Sequence, residues 1–211
     1  MKILFSFDDA SVEDMEIAEL MVKYKFIEDT VFYFPVSPSV VNERKGRQSL
    51  SKKHQHEIAE LFEIGSHTIT HPLLTRISTS SAKTEILDSR KMLKTEFGQS
   101  INKFCYPRGY ANPEIQTLVK EAGYKNARST LVGYIHQSEN PYFEQTTAHV
   151  GCDRKEYGGQ HWFSYAKTML AEARNTPDSI YHLWGHGYEL KAYPKGLYLF
   201  EELLKELQNE R

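Results

Sequence analysis

Short runs of β-branched and aromatic residues alternate with longer amphipathic stretches from the first residues onward, the pattern of an α/β protein. Residues 2–7 predict a strand, and DTVFYFP at 29–35 a second. Between them, Ser11 followed three residues later by Asp14 resembles a helix-start signal, and Val12, Met15, Ala18 and Val22 recur at helical spacing. Beyond a polar stretch holding Lys45 and Arg47, a helix is predicted near 52–62, followed by the short apolar step EIGS. The helix over 81–97 meets Gly98 at the usual left-handed cap, residues 102–106 predict a strand, and a helix opens at Pro113 and stops at Gly123. YKNA at 124–127 is another short strand, and helices over 160–174 and 195–208 flank the strand SIYHLW at 179–184. No repeat, low-complexity tract or linker interrupts this order. It predicts a single domain over residues 1–211, a (β/α) barrel-like fold with its chemistry where strands end and loops begin.

Composition narrows the partners. With 211 residues, 40% of them hydrophobic, the chain can bury a substantial core. Lys and Arg number 26 against 28 Asp and Glu, so no global field points to nucleic acid or an anionic membrane. No apolar run approaches the roughly 18 residues of a membrane span, and MKILFSFDD reaches carboxylates before any signal-like stretch, so a cytoplasmic protein is expected. Cys105 and Cys152 lack CxxC spacing and read as reduced, buried thiols.

Four clusters carry candidate chemistry. The strand ILFSF ends in Asp8 and Asp9; where a strand breaks, both carboxylates can face one pocket, although Asp9 or Ser11 can equally cap the next helix. In GSHTITHP, His67 and His71 are four apart, but the β-branched residues between them and Pro72 argue for a strand end or short turn. Two such histidines with one carboxylate make a set zinc accepts, and equally they can be unrelated. KFCYPRGY forms a tight turn at Pro107 and Gly109 that either exposes backbone N–H groups or merely precedes the next helix. In HLWGHGYEL, His182, Trp184 and His186 share one strand face, with His186 at the loop end in a structural or a catalytic role.

Taken in order, F-D-D, H-x-x-x-H-P, Y-P-x-G and a late W-G-H resemble the polysaccharide deacetylase family, the NodB homology domain of carbohydrate esterase family 4, over about residues 3–190. The resemblance implies a distorted (β/α) barrel of about seven strands and metal-dependent hydrolysis of an N-acetyl or related acyl group on an amino-sugar-containing saccharide. By motif, Asp8 matches the catalytic base, Asp9, His67 and His71 the ligands of a divalent metal, with zinc expected, and His186 the catalytic acid. Tyr106, Pro107 and Gly109 match the substrate-contacting loop, in which the Arg108 N–H would meet the oxyanion; Leu183 and Trp184 can wall the acyl methyl or serve as core.

Two departures stand out. Many members carry an Arg where this chain has Cys105, and that Arg orients the base. Arg128, just after a short strand expected beside the one carrying Cys105, is the candidate replacement, and a surface cation otherwise. The last motif usually reads His-Asp, whereas His186 precedes Gly187, leaving Asp153, Asp178 or Glu189 to orient the acid. A small non-sugar amide substrate (a formamide or cyclic imide), or an inactive metal-containing saccharide-binding protein, are the competing expectations.

Overall fold

A computed structural model describes residues 1–210, the side chain of Arg44 excepted. Seven parallel strands form one sheet in the order β5-β4-β3-β2-β1-β7-β6, curled into a half-barrel. They are β1 (Lys2–Asp8), β2 (Thr30–Phe34), β3 (Glu63–Ser66), β4 (Lys103–Cys105), β5 (Asn126–Arg128), β6 (Ala148–Val150) and β7 (Ile180–Gly185). Parallel neighbours need crossovers, and helices supply them: α1 (Asp14–Lys23), α2 (Pro38–Asn42), α3 (Lys52–Leu61), α4 (Thr79–Phe97), α5 (Pro113–Glu121) and α6 (Trp162–Arg174), with α7 (Gly187–Ala192) and α8 (Gly196–Gln208) after the last strand. The connection from β5 to β6 has no helix. It runs back along β5, with Ser129 N donating to Glu144 O and Ala127 N to Pro141 O, and touches β7 where Ile180 N donates to Ile135 O.

Period-two alternation divides each strand between two environments. On β1, Ile3, Phe5 and Phe7 join the main core beneath the helices, with Phe32 and Phe34 of β2, Ile17 and Met21 of α1, and Phe200 and Leu203 of α8. Phe5 packs on Phe26 with centroids 4.9 Å apart, and each such fully buried ring contributes about 1.5–3 kcal/mol. The opposite face looks into the half-barrel and is polar: Ser6 Oγ lies 2.9 Å from His182 Nε2, while Tyr33, Cys105 and Arg128 line the same interior. Burying charge there requires partners, which is why this face carries the candidate chemistry.

The predicted helix end at Gly98 stands, with φ 68°. Three elements escaped the sequence pattern, the five-residue α2, the three-residue β6 and the six-residue α7.

Candidate active site

Asp8 ends β1 on the interior face. Asp9 and Ala10 both have positive φ (78° and 52°), which turns the second carboxylate toward the same pocket instead of the opposite face. This backbone is held from outside: Asn42 Nδ2 donates to Asp9 O at 2.9 Å, and Leu50 N to Ala10 O at 2.9 Å. Strain of this kind costs about 1–3 kcal/mol per residue and persists where the surroundings over-determine it. Neither Asp9 nor Ser11 caps α1, whose N-cap Glu13 makes no side-chain cap hydrogen bond; Asp14 Oδ2 instead accepts from Ser11 N at 3.1 Å and ties the turn to the helix.

His67 and His71 converge on Asp9. His67 follows β3, and His71 ends a loop with positive φ at Thr68 and at itself (68° and 57°). Glu85 of α4 stitches that loop, accepting from Ile69 N, Thr70 N and Thr70 Oγ1 at 2.7–3.0 Å. His67 Nδ1 lies 2.8 Å from Cys105 O, a bond that needs the proton on Nδ1 and so turns a bare Nε2 toward Asp9. His67 Nε2 and His71 Nε2 stand 3.6 and 3.5 Å from Asp9 Oδ1, too far for hydrogen bonds. Burial lowers both imidazole pKa values, with His71 pushed down to about 3, so each is neutral at pH 7. Asp9 Oδ1 is buried without a hydrogen-bond partner. An orphaned carboxylate oxygen facing two neutral nitrogens is the arrangement a divalent ion completes, and this N/N/O set fits zinc.

Arg128 meets Asp8. It ends β5, is fully buried, and pairs in register with Cys105. Its Nη2 donates to both Asp8 oxygens, at 2.5 and 2.6 Å, and Nη1 donates to Ser129 O at 3.0 Å. The guanidinium lies between the rings of Tyr33 and Trp184, 5.1 and 4.9 Å from their centroids. Burial pushes the Asp8 carboxyl up, but the charge and hydrogen bond of Arg128, with the charge of His186, outweigh it and bring it down to about 2. Cys105 Sγ makes a 3.5 Å contact to Asp8 Oδ2.

His186 stands on the other side of Asp9, its Nε2 3.7 Å from Asp9 Oδ2. Its Nδ1 is 2.5 Å from Glu189 Oε2, and the same oxygen lies 2.7 Å from His149 Nε2. Burial lowers the His186 pKa, yet the Glu189 charge and hydrogen bond overcome it and raise it to about 9, so the ring is cationic at neutral pH. Of the three carboxylates considered for this role, Glu189 holds it, one turn into α7. Asp153 instead accepts from Trp162 N and Tyr193 Oη, and Asp178 precedes the far end of β7. Gly187 explains the missing His-Asp pair: a Cβ there would lie 2.5 Å from Asp14 Oδ1, which accepts the Gly187 N–H.

The expected turn is present at Pro107–Gly109, with Arg108 exposed at φ 59° and Gly109 at φ 76° packed against Thr130, where a Cβ would overlap its hydroxyl. Two expected substrate contacts are corrected. The Leu183 side chain lies on the helix-facing side of β7 in the main core, because it alternates with Trp184. Tyr106 likewise turns into the core against Phe104, its hydroxyl donating to Tyr142 O at 2.8 Å. Trp184 faces the interior and stacks on His149 at 3.8 Å. Sequence reasoning missed His149, Tyr188, whose hydroxyl is 3.4 Å from Asp9 Oδ2, and the functional position of Arg47, 3.9 Å from the same oxygen. The signal was a lone His in the short run Ala148-His149-Val150 and a cation in a polar loop.

Comparison with known proteins places the fold in a known family. YxkH of Bacillus subtilis (strain 168), provisionally named a polysaccharide deacetylase, is 25% identical over 141 residues, covering 66% of this chain and 48% of YxkH, so the chain spans about half that relative's length. Among solved structures, the Streptococcus pyogenes deacetylase PplD in complex with acetate superposes with TM-score 0.58 at 20% identity, over 68% of this chain and 62% of PplD. The peptidoglycan deacetylase PdaC of Bacillus subtilis does so with 0.59 at 19%, over 99% and 84% of the two chains. A Mycobacterium smegmatis protein provisionally named a polysaccharide deacetylase gives 0.71 at 13%, over 98% and 83%. These likenesses show the fold. The polysaccharide deacetylase family model matches residues 1–127, more than half of the sequence, and the chain belongs to the polysaccharide deacetylase family.

Proposed function

We propose that this protein is a divalent-metal-dependent hydrolase that removes an N-acetyl or related acyl group from an amino-sugar-containing saccharide. The observation that carries the reading is the orphaned Asp9 Oδ1 between two neutral imidazoles, flanked by an anionic carboxylate and a cationic histidine. A divalent ion held by Asp9, His67 and His71, zinc by the donor set, would supply Lewis-acid polarisation of the acyl carbonyl and acidify the attacking water.

Asp8 is ionised and accepts the proton of that water, and Arg128 is the positioning residue that fixes the carboxylate plane. The Arg108 N–H, on the tight turn, is the donor proposed for the developing oxyanion; such a donor contributes about 3 kcal/mol to transition-state stabilisation. His186 delivers a proton from Nε2 to the departing amine, which otherwise leaves as a strongly basic anion. Glu189 holds the opposite nitrogen and keeps the ring charged until then. The buried Arg128–Asp8 pair also supports turnover over a binding-only protein, since the carboxylate keeps a guanidinium partner although position 105 is a cysteine.

Acetate release from N-acetylated oligosaccharides by zinc-loaded protein tests the reading. Turnover abolished by chelation and restored by zinc is expected; full activity in metal-free protein, or none on any N-acyl saccharide, overturns it.

A further inference from the structure

Arg47 sits where the proposed chemistry gives it nothing to do. Its guanidinium stacks on Tyr188, 3.4 Å from the ring centroid, on the rim of the Asp9 pocket. The backbone around it is anchored, with Arg47 N donating to Asn42 O, and Val12 N to Gln48 O, tying the loop to the one that carries Asp9. Nε, Nη1 and Nη2 are all shielded from solvent and none has a hydrogen-bond partner. The carboxylate oxygen paired with it, Asp9 Oδ2, is 3.9 Å away, outside hydrogen-bond range.

A desolvated guanidinium without acceptors is costly, and buried donors are satisfied in the great majority of structures. Asp9 is a poor candidate to supply the missing acceptor, because its other oxygen faces His67 and His71 in the proposed metal set and Oδ2 already accepts from Tyr188 Oη. Two further cations stand nearby. Lys45, exposed on the same loop, and Arg108, exposed on the tight turn, act on each other as like charges. A neutral sugar would leave this rim unpaired.

We propose that Arg47, with Lys45 and Arg108 beside it, binds an acidic group that the substrate carries next to its acylated nitrogen. This deepens the proposed function and rests on it. The position follows from the contacts to Asp9 Oδ2: Arg47 at 3.9 Å, Tyr188 Oη at 3.4 Å and His186 Nε2 at 3.7 Å surround one oxygen, so an anion on Arg47 lies within a few bonds of the nitrogen His186 protonates. Carboxylate and phosphate both fit a planar guanidinium.

Calorimetry on zinc-loaded protein with N-acetylglucosamine, its 1-phosphate and N-acetylmuramic acid separates the possibilities, with acetate release followed in parallel. The two acids carry their charge on either side of the acetamido-bearing carbon, a phosphate on O1 or a lactyl carboxylate on O3. One of them should bind about 10- to 100-fold more tightly than the neutral sugar, and which one does identifies the anion. Arg47→Met should reduce the acid-to-neutral ratio by about tenfold or more, and Arg47→Lys should retain part of it. Binding and hydrolysis of all three sugars without discrimination, or an acid preference that survives Arg47→Met, overturns the assignment alone. Turnover of N-acetylated oligosaccharides with no binding of either acid likewise overturns the assignment alone, whereas no turnover on any N-acyl saccharide overturns the proposed function with it.

Discussion

Replacing Arg128 by methionine keeps most of the buried stem and removes the charge, which isolates what the guanidinium does for Asp8. In the native protein the Asp8 carboxyl is held at about 2 against an ordinary 3.8, worth about 2 kcal/mol in favour of the ionised form. A depressed carboxyl pKa contributes stability that is present above about pH 4 and is lost as pH falls toward 2. In the variant the burial remains and the strongest opposing cation is gone, so the carboxyl should titrate above about 4, and the sign of the linkage reverses. The ionised carboxylate then destabilises the fold at neutral pH by about 3–5 kcal/mol, as for other buried pairs broken from one side, and mild acidification should recover part of the loss. Carbon-13 carboxyl NMR on metal-free protein gives the Asp8 midpoint directly, and urea unfolding at pH 7 and pH 5 gives the linkage. A midpoint still near 2, or a variant losing less than about 1 kcal/mol at pH 7, would refute the coupling.

Alanine at His67 or at His71 should reduce bound zinc well below one per chain by elemental analysis; full occupancy in both variants excludes them as ligands. Asp9→Asn should lose metal and turnover together, whereas Asp8→Asn should lose turnover and retain metal, so equal metal loss in the two would show the roles to be shared. Glu189→Gln removes the charge that raises His186, so the alkaline limb of the kcat/KM profile should move from about 9 to below about 7, and an unmoved limb would dissociate Glu189 from the acid. Gly187→Ala should cost about 1–3 kcal/mol in thermal or urea melts, because its methyl group would fall on the Asp14 carboxylate; a variant of native stability would show that the contact yields freely.

Much of this was legible before any coordinates. β1, β2 and β7 announce themselves because five to seven residues of alternating or wholly apolar character suffice to set a strand. β6 does not, since three residues of Ala-His-Val become a strand only when β7 offers its edge. Likewise Asp8, Asp9, His67, His71 and His186 stand at strand ends in short motifs, whereas His149 reaches the site through Glu189, 40 residues away. Arg128 could be nominated only from the vacancy its partner strand leaves at position 105. Arg47 lacked even that, because the ring that holds it lies 141 residues onward at Tyr188.

The in-register pairing of Cys105 with Arg128 makes two chain positions 23 residues apart equivalent as seen from Asp8. A cation can therefore migrate between adjacent strands while the carboxylate it serves stays put, and the thiol left behind still touches that carboxylate. The exchange is reversible in principle: Cys105→Arg combined with Arg128→Cys would put the guanidinium on the neighbouring strand, across from the same carboxylate. Within such a sheet, sorting active from inactive chains by one loop arginine counts sequence positions, while the carboxylate responds only to charge arriving at its oxygens.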